Sequence, residues 1–142
     1  MIVIDVNLLL YAYAAPSPKQ EKAREWLEAA FSSGEIVGLP WQVISAFIRI
    51  ATNTKLPHLR RPVPEATGAV DEWLRHGSVR VLAPGDGHWP LFRRMIVEGQ
   101  ATGDLVSDAQ IAALTIENGG VLYTTDRDFA RFPGLRWVDP IA

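Results

Sequence analysis

Four aspartates are placed to hold a cation: Asp5, Asp108, Asp126 and Asp128. Asp5 follows directly on the apolar run Met1-Ile2-Val3-Ile4, which reads as a short buried strand. A carboxylate at that exit is costly unless it is paired or bound to a cation. Asp126 and Asp128 come shortly after Val121-Leu122-Tyr123, a second such strand, and Asp108 opens the helix before it. In an open parallel sheet, ligands collect outside the carboxyl ends of the strands. If these two strands are neighbours, the four acids meet on one rim. Close carboxylates repel one another, and some stay protonated unless a cation neutralises them. With no cysteine in the chain and no paired histidines, oxygen ligands point to Mg2+ or Mn2+ rather than zinc. Such an ion suits phosphodiester hydrolysis, because it lowers the pKa of a bound water and stabilises the charged oxygens of the displacement. Asn7 is close enough in sequence to orient a carboxylate or that water.

Each of these residues also has a purely structural role open to it. Asp108 fits a helix N-terminal charge, Asp126 and Asp128 fit a turn or helix start, and Asn7 fits a turn. Asp5 is the hardest to explain that way. Other chemistries lack their residues. There is no phosphate-loop or dinucleotide glycine motif, no nucleophile elbow, and no zinc-protease helix. His58, His76 and His88 are isolated and read as solvated or hydrogen-bonding side chains. The five tryptophans are dispersed and read as packing, with Trp41 the one nearest a groove.

The elements that must position the acids alternate between strand and helix. An apolar helical turn runs from Leu8 to Ala14 and is broken at Pro16. Ser17 caps a second helix with Pro18 at its first position; Ala23, Trp26, Leu27 and Ala30 share its inner face, and Gly34 ends it. Residues 35–39 read as a strand, and a helix from Pro40 to about Thr52 turns Val43, Phe47 and Ile50 inward. Residues 53–63 form a positively charged loop. A helix from Pro64 to His76, a strand over 78–82 and a helix over 88–98 follow. Ser107-Asp108-Ala109-Gln110 reads as a capping box for a helix over 109–117, stopped by Asn118-Gly119-Gly120. After the strand at 121–123 and a short helix, a last strand covers 135–138. This alternation predicts one α/β domain over 1–142, with a mainly parallel sheet between helical layers.

The 142 residues, 48% of them apolar, suffice for one core, and the absence of cysteine excludes a disulfide scaffold, thiolate metal sites and a cysteine nucleophile. No apolar run approaches the ~18 residues of a membrane span, and the first residues do not form a signal peptide, so a cytoplasmic setting is expected. The formal charge is −2, so contact with nucleic acid requires a local basic face.

End to end, these pieces resemble the PIN-domain ribonucleases, and most closely the VapC-type toxins of bacterial toxin–antitoxin pairs in a mycobacterial-type subgroup. Ile4-Asp5-Val6-Asn7 is similar to the family's D-x-N opening, and Ser107-Asp108-Ala109 with the small-residue helix after it continues the likeness. Thr124-Thr125-Asp126-Arg127-Asp128-Phe129 followed by Phe132-Pro133-Gly134-Leu135 is its most specific part. The resemblance implies a PIN-like α/β/α sandwich and a metal-dependent endoribonuclease acting on structured RNA such as tRNA or rRNA. Asp5, Asp108 and Asp126 would hold Mg2+ or Mn2+, Asp128 would support them, and Asn7 and Thr124 would orient the carboxylates. It also implies a homodimer and a small VapB-like antitoxin covering the groove.

One departure stands out. The family's third-helix acid, in the pattern E-F-x-R, is replaced by Ala46-Phe47-Ile48-Arg49, and no acid lies between Glu35 and Glu65. Gln42 or Ser45 could help through water, and Asp104 could contribute from its loop. Arg49, Lys55, Arg60 and Arg61 are expected to track RNA phosphates along the rim, with Arg127 and Arg131 opposite, unless they are solvated or touch the antitoxin. Two rivals follow. One is a catalytically weak or silent antitoxin-binding protein that has lost the acid. The other is a small-molecule phosphatase, whose D-x-D opening fails at Asn7.

Overall fold

The computed structural model describes residues 1–13, 17–55 and 60–142. Five short strands, β1 (Ile2–Ile4), β2 (Val37–Pro40), β3 (Val79–Leu82), β4 (Val121–Tyr123) and β5 (Trp137–Val138), form one sheet in the order β3-β2-β1-β4-β5. Every pairing is parallel. Six helices flank it: α1 (Val6–Tyr13), α2 (Pro18–Phe31), α3 (Trp41–Ala51), α4 (Val63–Arg75), α5 (His88–Glu98) and α6 (Leu105–Glu117), with a short 3-10 helix at Arg127–Arg131. The chain steps outward from β1 through β2 to β3, then returns across β1 to β4. Right-handed crossovers then place α1 to α4 on one face and α5 and α6 on the other. The packing agrees, with α1 against α2 and α3, α3 against α4, and α5 against α6. The expected α/β/α sandwich is therefore the observed one.

The reversal of strand order at β1 and β4 leaves a crevice at their carboxyl ends, because the two connections leave in opposite directions. Strands buried from both sides must be apolar throughout, and β1 is. Leu8, Leu9, Leu39, Phe47, Met95, Leu122 and Phe129 belong to the same core and are all fully enclosed.

Several expected boundaries move, each for a local reason. α1 starts at Val6, not Leu8, because the Asp5 carboxylate accepts the Val6 backbone N–H (2.8 Å) and holds the first turn. Ser17 caps α2 as expected, accepting from the Gln20 N–H at 3.0 Å. Trp26 is only half-buried and stacks on Tyr123, while Gln20 takes the buried place and reaches the Ala12 carbonyl. On α3 the inner face is Val43, Ile44, Phe47 and Ala51, with Ile50 only partly covered. The capping box at Ser107 does not form. α6 already begins at Leu105, after Gly103 turns the chain with φ +58, so Ser107 lies inside the first turn. The break at Pro16 and His58 lie outside the described residues.

Candidate active site

The site grows from one extra rung on the sheet. The Asp5 N–H donates to the Tyr123 carbonyl (3.1 Å) and the Thr124 N–H donates to the Val138 carbonyl (3.0 Å), so the ladder continues past the strands. This brings Asp5 and Thr124 side by side across 119 positions of sequence, and the Thr124 hydroxyl donates to Asp5 Oδ2 at 2.7 Å. Both are buried, Asp5 at 5% exposure and Thr124 at 0%, so the carboxylate is held in place and largely dry.

A hydroxyl has one proton to give, and Thr124 gives it to Asp5. Its lone pairs therefore accept, from the Asp126 backbone N–H (3.0 Å) and from Asn7 Nδ2 (3.3 Å). That fixes the orientation of the Asn7 amide, with nitrogen toward Thr124. Asn7 Oδ1 is left buried without a hydrogen-bond partner. A carbonyl oxygen orphaned beside a carboxylate is a hard donor awaiting a cation or an ordered water. Asn7 thus acts on Thr124, and Thr124 on Asp5.

Asp108 rises from the first turn of α6 and is half-buried. Burial first, then the charges of Asp5, Asp126, Asp128 and Asp104, pushes its carboxyl up to about 7. Burial also raises Asp5, against the lowering effect of the Thr124 and Val6 hydrogen bonds and with a smaller contribution from the Asp126 charge. The four aspartates therefore feel one another's field at one end of the sheet. None of them is in an ion pair among the described residues. Nor do any three acidic or histidine side chains among those residues already stand close enough to chelate an ion. The rim offers oxygen donors of the kind a hard cation would take, with Asp5, Asp108 and Asp126 the residues that would hold it. Asp126 also has a structural task, since its Oδ1 accepts the Asp128 N–H (2.9 Å) and caps the 3-10 helix; Asp128 itself is exposed.

The cations are placed differently from expectation. α1 and α3 both start at the rim and run away from it at about 1.5 Å per residue. Arg49, on the last turn of α3, is therefore about 12 Å further along the helix axis than Trp41. Lys55 lies beyond it, exposed. Arg61 holds the far end of α1, donating from Nε and Nη2 to the Tyr13 carbonyl at 3.1 and 2.7 Å. Arg60 is exposed next to it, and Arg131 is tied to the Gly99 carbonyl at 3.0 Å. Arg127, directly after Asp126, stays at the rim. One feature was obscured in the sequence. Ser107 is a tie point, because Gln42 Nε2 donates to its carbonyl (3.0 Å) and hydroxyl (3.1 Å) and so links α3 to the turn that carries Asp108. Asp104 occupies the N-cap position of α6 and adds to the field at Asp108. Ala46 and Ser45 provide no carboxylate at the position of the missing acid.

A parallel five-stranded sheet with an acidic crevice at its strand-order reversal defines an open α/β fold whose ligand site lies at the switch point. The sequence profile of the PIN domain matches residues 2–135. Ribonuclease VapC43 of Mycobacterium tuberculosis is 36% identical over 141 residues, covering 99% of this chain and 96% of the relative. Among solved structures, VapBC2 from Rickettsia felis, bound to a promoter DNA fragment, superposes with a TM-score of 0.72 at 16% identity over 97% of this chain and 98% of that one. A toxin-antitoxin complex from Klebsiella pneumoniae gives 0.68 at 18% identity, covering 99% and 98%. The chain belongs to the PIN domain family, and its relatives there include curated VapC ribonucleases at 31–36% identity.

Proposed function

We propose that this protein is an endoribonuclease toxin that hydrolyses RNA phosphodiester bonds with Mg2+ or Mn2+ held by Asp5, Asp108 and Asp126, supported by Asp128. The observation that carries this reading is the chain Asn7–Thr124–Asp5. It commits two polar side chains, Thr124 and through it Asn7, to fixing one buried carboxylate and leaves Asn7 Oδ1 without a partner. The kinship with VapC ribonucleases supports RNA as the substrate class. A divalent cation at the rim would supply an activated water and neutralise charge on the scissile phosphate. The protein's own contribution is positional. Thr124 holds Asp5 in one orientation, and Asn7 holds Thr124. α6 presents Asp108 from its first turn, and Gln42 ties that turn to α3. Dry surroundings strengthen the pull of the carboxylates on a cation.

The same reading gives the protein a small VapB-like antitoxin and a homodimeric state, in keeping with the toxin-antitoxin complex among its structural neighbours. No helix among the described residues is long and apolar enough to cross a membrane. The phosphatase alternative has no support at position 7, since the Asn7 amide is committed to Thr124 and carries no transferable proton. The silent-binder alternative draws on the missing third-helix acid. Incubating RNA with the protein, with and without Mn2+ and beside Asp5→Ala, separates them. Cleavage that requires Mn2+ and is lost in the variant supports the nuclease. Equal cleavage by the variant removes the metal mechanism, and no cleavage by the wild type leaves the binder.

A further inference from the structure

We propose that Trp41 is a stacking platform that holds one unpaired base of the RNA strand next to the carboxylate rim; this rests on the nuclease reading above. Trp41 is the first residue of α3 and follows Pro40, the last residue of β2. The register pairs Ile2 with Val37 and Val3 with Gly38, so its continuation sets Pro40 level with Asp5 and Trp41 level with Val6. Trp41 thus opens α3 beside the exit of β1, on the neighbouring strand. It is 55% exposed.

Three of the other four tryptophans have ring partners among the described residues; Trp137, like Trp41, has none. Trp73 lies against Tyr13 and Phe47, Trp26 on Tyr123, and Trp89 against Phe92. Trp41 has no aromatic neighbour among the described residues. Its backbone is nevertheless fixed. Pro40, Val43 and Ile44 are buried around it, and the Gln42 side chain clamps onto Ser107, the residue before Asp108. A flat apolar face left in water costs stability, and packing does not account for it here.

Charge explains why such a face is useful. The rim carries four aspartates, which repel a phosphate backbone. Arg49 and Arg61, expected to offset them, sit at the far ends of α3 and α1. With Arg127 the one expected cation left at the rim, an RNA strand there gains from affinity beyond phosphate pairing. Base stacking provides it, and it tolerates any sequence because every base has a π face. A second copy of the chain is the weaker occupant. A two-fold contact through Trp41 would bring two acidic rims together, a like-charge juxtaposition.

The test compares wild type, Trp41→Phe and Trp41→Ala on a single-stranded RNA carrying 2-aminopurine at successive positions. Binding is read in chelator and cleavage with Mn2+, with melting temperature and sedimentation as controls. Trp41→Ala is expected to weaken binding and raise KM about 5- to 150-fold, the worth of one stacked base. Its kcat should stay within about twofold, since the indole touches no reacting atom. Trp41→Phe should keep most of the affinity, and one 2-aminopurine position should be quenched by wild type but not by Trp41→Ala. An unchanged KM and quench in Trp41→Ala, beside an active wild type, overturns the proposal. So does a shift from dimer to monomer with the quench intact, which makes Trp41 a subunit contact. A wild type that neither binds nor cleaves RNA overturns the nuclease reading itself, and shows this before any variant is made.

Discussion

Two buried side-chain atoms lack a hydrogen-bond partner among the described residues: Asn7 Oδ1 at the rim and His88 Nδ1 between α5 and α6. They look alike in burial and differ in what surrounds them. His88 faces one carboxylate, Glu117 Oε2 at 3.8 Å, and its other nitrogen lies 3.3 Å from the Gln110 amide. Glu117 also accepts the Gly85 N–H at 3.4 Å, so this carboxylate already has a backbone donor of its own at the seam. Asn7 Oδ1 is an acceptor set among acceptors. The Asn7 amide nitrogen reaches Thr124, which holds Asp5, and the charges of Asp5, Asp126, Asp128 and Asp104 act together on Asp108. A single proton cannot balance that many charges, whereas a divalent cation can. The lesson is that an unsatisfied atom identifies a site only when its neighbours share its need.

This comparison can be broken most sharply at the carboxylates. Asp5→Asn and Asp108→Asn are each expected to lower RNA cleavage by about three orders of magnitude, the several kcal/mol that a metal supplies to the transition state, in single-turnover assays with Mn2+. Loss of less than tenfold in both would place the cation elsewhere. Thr124→Val and Asn7→Ala act one bond away and should cost about 10–100-fold in metal affinity, measured by calorimetric titration. Thr124→Val should cost more of the two, because it also strips a buried carboxylate of its donor.

A pH series sharpens the electrostatic half. In the fold the Asp108 carboxyl is raised from 3.8 to about 7. The native state therefore holds this proton more tightly than the unfolded chain, and the metal-free fold loses stability as pH rises between those values. Asp108→Asn should raise the melting temperature at about pH 8 and leave it nearly unchanged at about pH 4. Mn2+ must displace the same proton, so it should stabilise the wild type more at about pH 8 than at about pH 5. The seam should give the smallest response. Glu117→Gln is expected to cost about 1 kcal/mol or less in denaturant unfolding and to leave cleavage unchanged.

Much of this arrangement was legible in the sequence because strands announce themselves locally. Ile2-Val3-Ile4 and Val121-Leu122-Tyr123 are uninterrupted apolar runs, and an acid directly after such a run has few structural excuses. Their adjacency in the sheet turned four scattered aspartates into one rim. What stayed hidden depends on contacts distant in sequence. Ser107 carries the sequence pattern of a cap, yet Gly103 lets the helix start earlier, and Gln42, 65 residues away, claims its hydroxyl. Arg61 sits in a basic stretch, and only the fold shows that its guanidinium closes the end of α1. His88 looks isolated in sequence because Gln110 and Glu117 reach it from another helix.

The most direct test of the central claim is a crystal of the protein soaked in Mn2+ and measured for anomalous scattering. A single strong peak about 2.0–2.3 Å from carboxylate oxygens of Asp5 and Asp108, with Asp126 bound directly or through water, is the predicted result. A protein that cleaves RNA while its anomalous signal lies away from this rim, or is absent at a saturating Mn2+ concentration, would contradict it.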